Sequence, residues 1–136
     1  ACIYSAFCND GNIIKPYLIY KNEITPEYWI KGAFRPETAS QVLEGIKKVV
    51  NDPNGTGYAA CRDDMILAGK TGTAEIKASK EDTSGTELGW LAIFTTEEMI
   101  EQPILIISMV EDVKERGGSG YVVEKDTAVF DSLFVR

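Results

Sequence analysis

Three strand-like runs follow one another in the second half of the chain, with a helix-like segment on either side of them. Met65 to Lys77 begins apolar and ends in Ala74-Glu75-Ile76-Lys77, the alternation of a half-exposed strand. A polar loop, Ser79 to Gly85, separates it from a second run, Leu88 to Thr95, and a third, Ile104 to Val110, follows. The unbroken apolar stretch Ile104-Leu105-Ile106-Ile107 predicts a strand covered on both faces. Ahead of the strands, Pro36 to Asn51 carries Ala39, Val42, Leu43, Ile46, Val49 and Val50 at three- and four-residue intervals. Pro36 suits the first helical position and Glu37 the positive end of the helix dipole. Behind them, the turn Gly117-Gly118-Ser119-Gly120 opens a last helix whose Val122, Val129, Phe130, Leu133 and Phe134 form a stripe suited to a sheet face. Near the start, Ile3 to Phe7 reads as the end of an amphipathic helix closed by Asn9-Asp10-Gly11-Asn12. Ile13 to Tyr20 reads as a strand in which Pro16 argues for an edge or a bulge. This order predicts an α+β fold, an antiparallel sheet with helices on its faces.

A chain of 136 residues can bury one sizeable core, and 44% hydrophobic with 26% charged residues exclude a disordered or membrane-embedded chain. The longest apolar stretch, Pro103 to Val110, is far too short to span a bilayer, and no charged-then-apolar signal segment opens the sequence. A net charge of −7 disfavours nucleic acid and anionic membrane as partners. Histidine is absent, which removes Ser-His-Asp and Cys-His catalysis and His-based metal sites from the chain. Cys2, Cys8 and Cys61 form no Cys-x-x-Cys and read as buried or incidental thiols. With Ala1 to Asn9 helical, Cys2 and Cys8 fall on different faces and do not pair.

Within the first strand run stands Lys70-Thr71-Gly72-Thr73, which displays a lysine and two hydroxyls from a rigid element. Read alone, Lys70 is a solvated edge lysine and the threonines are ordinary strand formers. Read with its surroundings, the segment is part of a longer pattern. Val49-Val50-Asn51-Asp52-Pro53-Asn54-Gly55-Thr56-Gly57, Ala68-Gly69-Lys70-Thr71-Gly72-Thr73-Ala74-Glu75 and Gly89-Trp90-Leu91-Ala92-Ile93-Phe94 occur in the order found in penicillin-binding proteins and serine β-lactamases. The chain resembles the C-terminal part of the transpeptidase domain of a class B penicillin-binding protein, in the neighbourhood of the methicillin-resistance type, over essentially residues 1–136. Gly69-Lys70-Thr71 also resembles the tail of a P-loop, but Asp64 stands where that motif needs glycine.

The resemblance implies a role for each residue of the motif. Lys70 would reach the middle serine of a Ser-x-Asn motif, keep the site positive and serve proton movement. Thr71 and Thr73 would offer hydroxyls to the carboxylate of a D-alanyl donor or of a β-lactam. The Thr73 amide would form half of an oxyanion hole. Gly72 would leave room for a substrate lying antiparallel along the strand edge. No metal or organic cofactor is implied. Glu75 reads equally as a solvated carboxylate, Trp90 as core or cleft wall, and the Gly117 to Gly120 turn as a tight connection near the cleft entrance.

No serine in the chain has a lysine three residues later, and no Ser-x-Asn occurs. Tyr20-Lys21-Asn22 spells a related Tyr-x-Asn at the end of a predicted strand, which reads as coincidence. The expectation is therefore a fragment lacking its nucleophile and inactive alone, whose parent is a serine-type D,D-transpeptidase. That parent would bind peptidoglycan stem peptides and β-lactams on the outer face of the bacterial cytoplasmic membrane, anchored by a segment ahead of Ala1. A fragment of a β-lactam-sensing receptor is the alternative. The Ile104 to Val110 strand is expected to lose a neighbour, leading to edge-to-edge pairing, strand swapping or a dimer.

Overall fold

A computed structural model describes residues 1–19, 25–96 and 102–134. The chain divides into two compact units, Ala1–Gly45 and Ile46–Arg136.

In the first unit the helix α1 (Cys2–Ala6) runs into a turn in which Asp10 and Gly11 both have positive φ, 49° and 76°. Glycine is required at position 11, where a Cβ would lie 2.1 Å from the Phe34 carbonyl oxygen. The close approach lets Phe34 N–H donate to Gly11 at 3.1 Å and stacks Phe7 on Phe34 with 5.3 Å between ring centroids. Cys2 and Cys8 are not joined in a disulfide, nor is Cys61 in the second unit. The strand expected from Ile13 to Tyr20 is far shorter: β1 (Ile13–Ile14) pairs antiparallel with β2 (Tyr28–Ile30). Pro16 has no N–H to continue the ladder, which ends with Lys15 N–H donating to Glu27 at 2.8 Å. Beyond it a side chain takes over, the Tyr17 hydroxyl donating to the Thr25 carbonyl at 2.7 Å and accepting from Glu27 N–H at 3.0 Å. Tyr20, Lys21 and Asn22 lie outside the described residues.

The helix α2 (Pro36–Asn51) has the bounds the periodicity predicts, beginning in the first unit and ending in the second. Ala39 and Val50, at the centre of its stripe, are buried, and Val42, at the margin, is exposed.

The second unit is built on a three-stranded antiparallel sheet, β3 (Leu67–Ile76), β4 (Thr86–Thr95) and β5 (Leu105–Val110), in that spatial order. A short 3₁₀ helix (Tyr58–Ala60) precedes it, and α3 (Ser119–Leu133) packs across one face. The core joins Val50, Ala60, Met65, Leu67, Leu91, Ile93, Val122, Val123 and Phe130. Each fully buried Leu, Ile or Phe among them contributes about 1.5–3 kcal/mol. Position 89 must be glycine for α3 to sit this close, since a Cβ there would lie 2.8 Å from Val122 Cγ2.

Two expectations for this unit need correction. The buried face of α3 is Val122, Val123, Asp126 and Phe130, while the predicted Val129 and Leu133 are exposed. Packing of Val122, Val123 and Phe130 into the core carries Asp126 inward with them, where its Oδ1 accepts from the Ser108 hydroxyl of β5 at 2.7 Å. Nor is β5 covered on both faces among the described residues: Ile106 and Val110 pack on the core, while Ile107 and Met109, each 42% exposed, face the other way. A single helix layer covers only alternate side chains of a strand.

Arg62 fastens the entry of β3 to the end of α3. Its buried guanidinium forks onto Asp64 with two bonds of 2.8 Å, donates to Asp131 at 2.6 Å and reaches the Phe134 carbonyl at 2.7 Å. The hydrogen bond that Arg62 donates to Asp64 leads the influences that raise the arginine's pKa, so its charge is permanent. At the far end of the sheet, Asp82 orders the β3–β4 loop by accepting from Ala78 N–H, Ser84 N–H and the Ser84 hydroxyl. Those bonds, the hydroxyl's first, lower its pKa to about 2.

Candidate active site

The Lys70 to Thr73 segment lies in the middle of β3, which stands at one edge of the sheet with only β4 beside it among the described residues. Lys70 is opposite Ala92, Thr71 opposite Leu91, Gly72 opposite Trp90 and Thr73 opposite Gly89. Strand alternation puts Thr71 and Thr73 on the face covered by α3, and Lys70 and Gly72 on the face that carries Trp90.

The hydrogen bonds of the neighbouring strand decide which backbone groups face the open edge. Thr95, opposite Leu67, donates its N–H to Ile104, and Glu87, opposite Glu75, gives its carbonyl to Val113 N–H. On β3 itself, the Leu67 carbonyl accepts from Asn51 Nδ2 at 2.7 Å and the Thr71 carbonyl from Lys70 Nζ at 2.5 Å. Opposite residues of an antiparallel pair exchange both backbone bonds or neither. The register runs unbroken from Leu67 to Ile76, so residues 67, 69, 71, 73 and 75 turn N–H and C=O away from β4. Thr73 N–H therefore points out of the sheet's open side.

Behind this edge lies Thr56, to which the sequence pattern assigns no role. Thr71 is buried, 7% exposed, and its hydroxyl lies 2.7 Å from the hydroxyl of Thr56. Thr56 is brought there by a tight wrap of chain around the end of α2. Gly55 fits because a Cβ at that position would lie 2.3 Å from the Val49 carbonyl oxygen, and Gly57 N–H donates to that same oxygen at 2.9 Å. Asn51 closes the arrangement by bonding both Lys47 and Leu67 carbonyls. The signal available in the sequence was a threonine between two glycines, shortly past the helix end at Asn51.

On the other side of Thr73 stands the glycine turn. Gly118, the N-cap of α3, has φ 62° and ψ −137°, a conformation open to glycine alone, and a Cβ there would lie 3.4 Å from Thr73 Oγ1. The turn expected to be a connection near a cleft entrance thus borders the Thr73 hydroxyl directly. Trp90, 40% exposed, lies beside Gly72 on the opposite face and is not enclosed core. Glu75 is bridged to Lys77 at 2.7 Å, a pairing of solvated residues. Among the described residues no three of His, Cys, Asp and Glu converge in a way that could hold a metal ion.

An open strand edge with outward amides, two hydroxyls on one face, an adjacent lysine and a side-chain-free turn suits an extended peptide with an anionic end. The family profile described as penicillin binding protein transpeptidase domain matches residues 1–133. The chain belongs to this transpeptidase family. Penicillin-binding protein 3 of Bacillus subtilis (strain 168) is 40% identical over 132 residues, which cover 97% of this chain and 19% of that protein. The chain thus spans about a fifth of the length of this curated relative. Among solved structures, the apo TP domain of penicillin-binding protein 3 from Burkholderia pseudomallei superposes with a TM-score of 0.69 at 21% identity, covering 97% of this chain and 40% of that one. Penicillin-binding protein 2B from Streptococcus pneumoniae (strain R6) gives 0.63 at 16% identity, covering 97% and 24%. At these identities the two structures establish the fold, the mixed α/β architecture with antiparallel sheets expected for a penicillin-binding transpeptidase domain.

Proposed function

We propose that this chain forms the substrate-binding wall of a serine D,D-transpeptidase that cross-links peptidoglycan. The observation that carries the reading is the open edge of β3, where the Thr73 amide faces outward and the Thr71 and Thr73 hydroxyls share one face. A stem peptide would add to this edge as an antiparallel strand, its terminal carboxylate held by the two hydroxyls beside Gly118. A serine from outside residues 1–136 would attack the penultimate D-alanine carbonyl, with the Thr73 amide stabilising the oxyanion. Collapse of the tetrahedral intermediate breaks the peptide bond and releases D-alanine, which takes up a proton at its amine. The amine of a neighbouring stem peptide then attacks the ester and frees the serine. Lys70 keeps the site cationic and assists these proton movements in place of the absent histidine. A β-lactam would enter by the same edge and remain as a stable acyl group.

In this reading residues 1–136 are the C-terminal portion of one transpeptidase domain and are inactive alone. The protein works outside the cytoplasmic membrane, held there by a segment beyond these residues; no helix among the described residues is long and apolar enough to cross a membrane. A fluorescent penicillin is expected to label the polypeptide that carries this chain together with the serine, and to leave the 136-residue chain unlabelled. Covalent labelling of the 136-residue chain would overturn the placement of the nucleophile elsewhere.

A further inference from the structure

From the hydroxyl pair behind β3 we infer that Thr56 is a positioning residue for the carboxylate site, donating to Thr71 so that the Thr71 proton is free for an anionic ligand. The inference rests on the transpeptidase reading above. The two oxygens are 2.7 Å apart, so one hydrogen lies between them and one hydroxyl must accept. Thr56 is exposed and water can satisfy its lone pairs, whereas Thr71 is buried with few alternatives. A carboxylate arriving at the strand accepts only. It sets the direction of the chain as Thr56 O–H to Thr71 O–H to carboxylate, and each bond polarises the next. No proton is transferred; the effect of Thr56 is to fix the rotor of Thr71 and strengthen it as a donor. The wrap at Gly55 and Gly57 holds Thr56 in reach, which gives these glycines a purpose beyond ending the helix.

The test uses the polypeptide that includes the acylating serine and compares acylation by a penicillin with acylation by its methyl ester, which lacks the anion. Thr56→Val is expected to slow acylation by the acid by up to about tenfold, the scale of one hydrogen bond, and to change the ester's rate by less than about twofold. Thr56→Ser keeps the hydroxyl and is expected to restore the acid's rate. In a Thr71→Val background, Thr56→Val should add nothing further. Equal losses on acid and ester, no rescue by serine, or additive effects in the double variant would each overturn the inference and leave Thr56 a packing residue. Impairment by Thr71→Val with none by Thr56→Val overturns the inference alone. Failure of the unsubstituted protein to be acylated overturns the transpeptidase reading and the inference with it.

Discussion

The two edges of the three-stranded sheet differ in what they present. Along β3 the odd-numbered backbone groups face outward and the Leu67 and Thr71 carbonyls are already engaged by Asn51 and Lys70, so this edge is polar, partly occupied and supported by threonine hydroxyls. Along β5 the outward-facing positions are Leu105, Ile107 and Met109, and the polar residue, Ser108, is turned inward to Asp126. Both strands pair with β4 alone among the described residues. Only one carries groups that would orient a ligand. A strand edge by itself offers pairing, and selectivity comes from the side chains immediately behind it.

One substitution on each edge separates what the two strands do. Lys70→Ala is expected to lower penicillin acylation of the serine-bearing protein by about 10²–10³-fold without unfolding it, the range of a lost acid–base or electrostatic group. Ile107→Lys should leave acylation within about twofold and instead abolish any self-association of the 136-residue chain, read by sedimentation. Comparable effects on acylation from both substitutions would erase the distinction between the edges.

A smaller contrast lies between two glycines of neighbouring strands. A Cβ at Gly72 meets only Trp90 Cβ, at an ordinary 3.5 Å, whereas a Cβ at Gly89 runs into Val122 and Val113. Gly72→Ala should therefore fold with stability unchanged to within about 1 kcal/mol yet acylate more slowly. Gly89→Ala should lose about 1–3 kcal/mol in chemical denaturation because α3 must move.

The smallest effect is expected at the buried carboxyl behind β5. Asp126 Oδ2 is buried with no hydrogen-bond partner among the described residues, and burial raises the pKa of the group against the opposing bond from Ser108. A raised folded pKa means that the folded chain holds its proton longer than the unfolded chain. Stability is then full below the unfolded value of about 4 and is lost as pH rises through the folded value. Asp126→Asn should flatten this dependence and gain on the order of 1 kcal/mol above that window. An identical pH profile in the variant would show that Asp126 titrates as a free carboxylate.

What the sequence made legible follows the range of the forces involved. β3, β4, β5 and α2 were readable because runs of apolar residues with a fixed period leave a local trace. β1 was overestimated because the missing N–H of Pro16 and the Tyr17 hydroxyl end the ladder where hydrophobicity continues, and β2, three exposed residues, has no period to detect. The inward turn of Asp126 was hidden because its partner is on a strand, β5, 18 residues away. At the site, the positions of Lys70 to Thr73 on an edge strand were legible, while Thr56 behind Thr71 and Gly118 beside Thr73 were not. Each is a contact between elements that only the folded backbone brings together.

Gly118 also limits how this region can change over generations. Any other amino acid at that position must adopt an unfavourable positive φ and place a carbon against the Thr73 hydroxyl. Even the smallest step, to alanine, carries this backbone cost, although its Cβ would make only ordinary contact with the Thr73 hydroxyl. Small changes to the surroundings of Thr73 are therefore reached more cheaply from neighbouring positions whose backbone carries no such constraint.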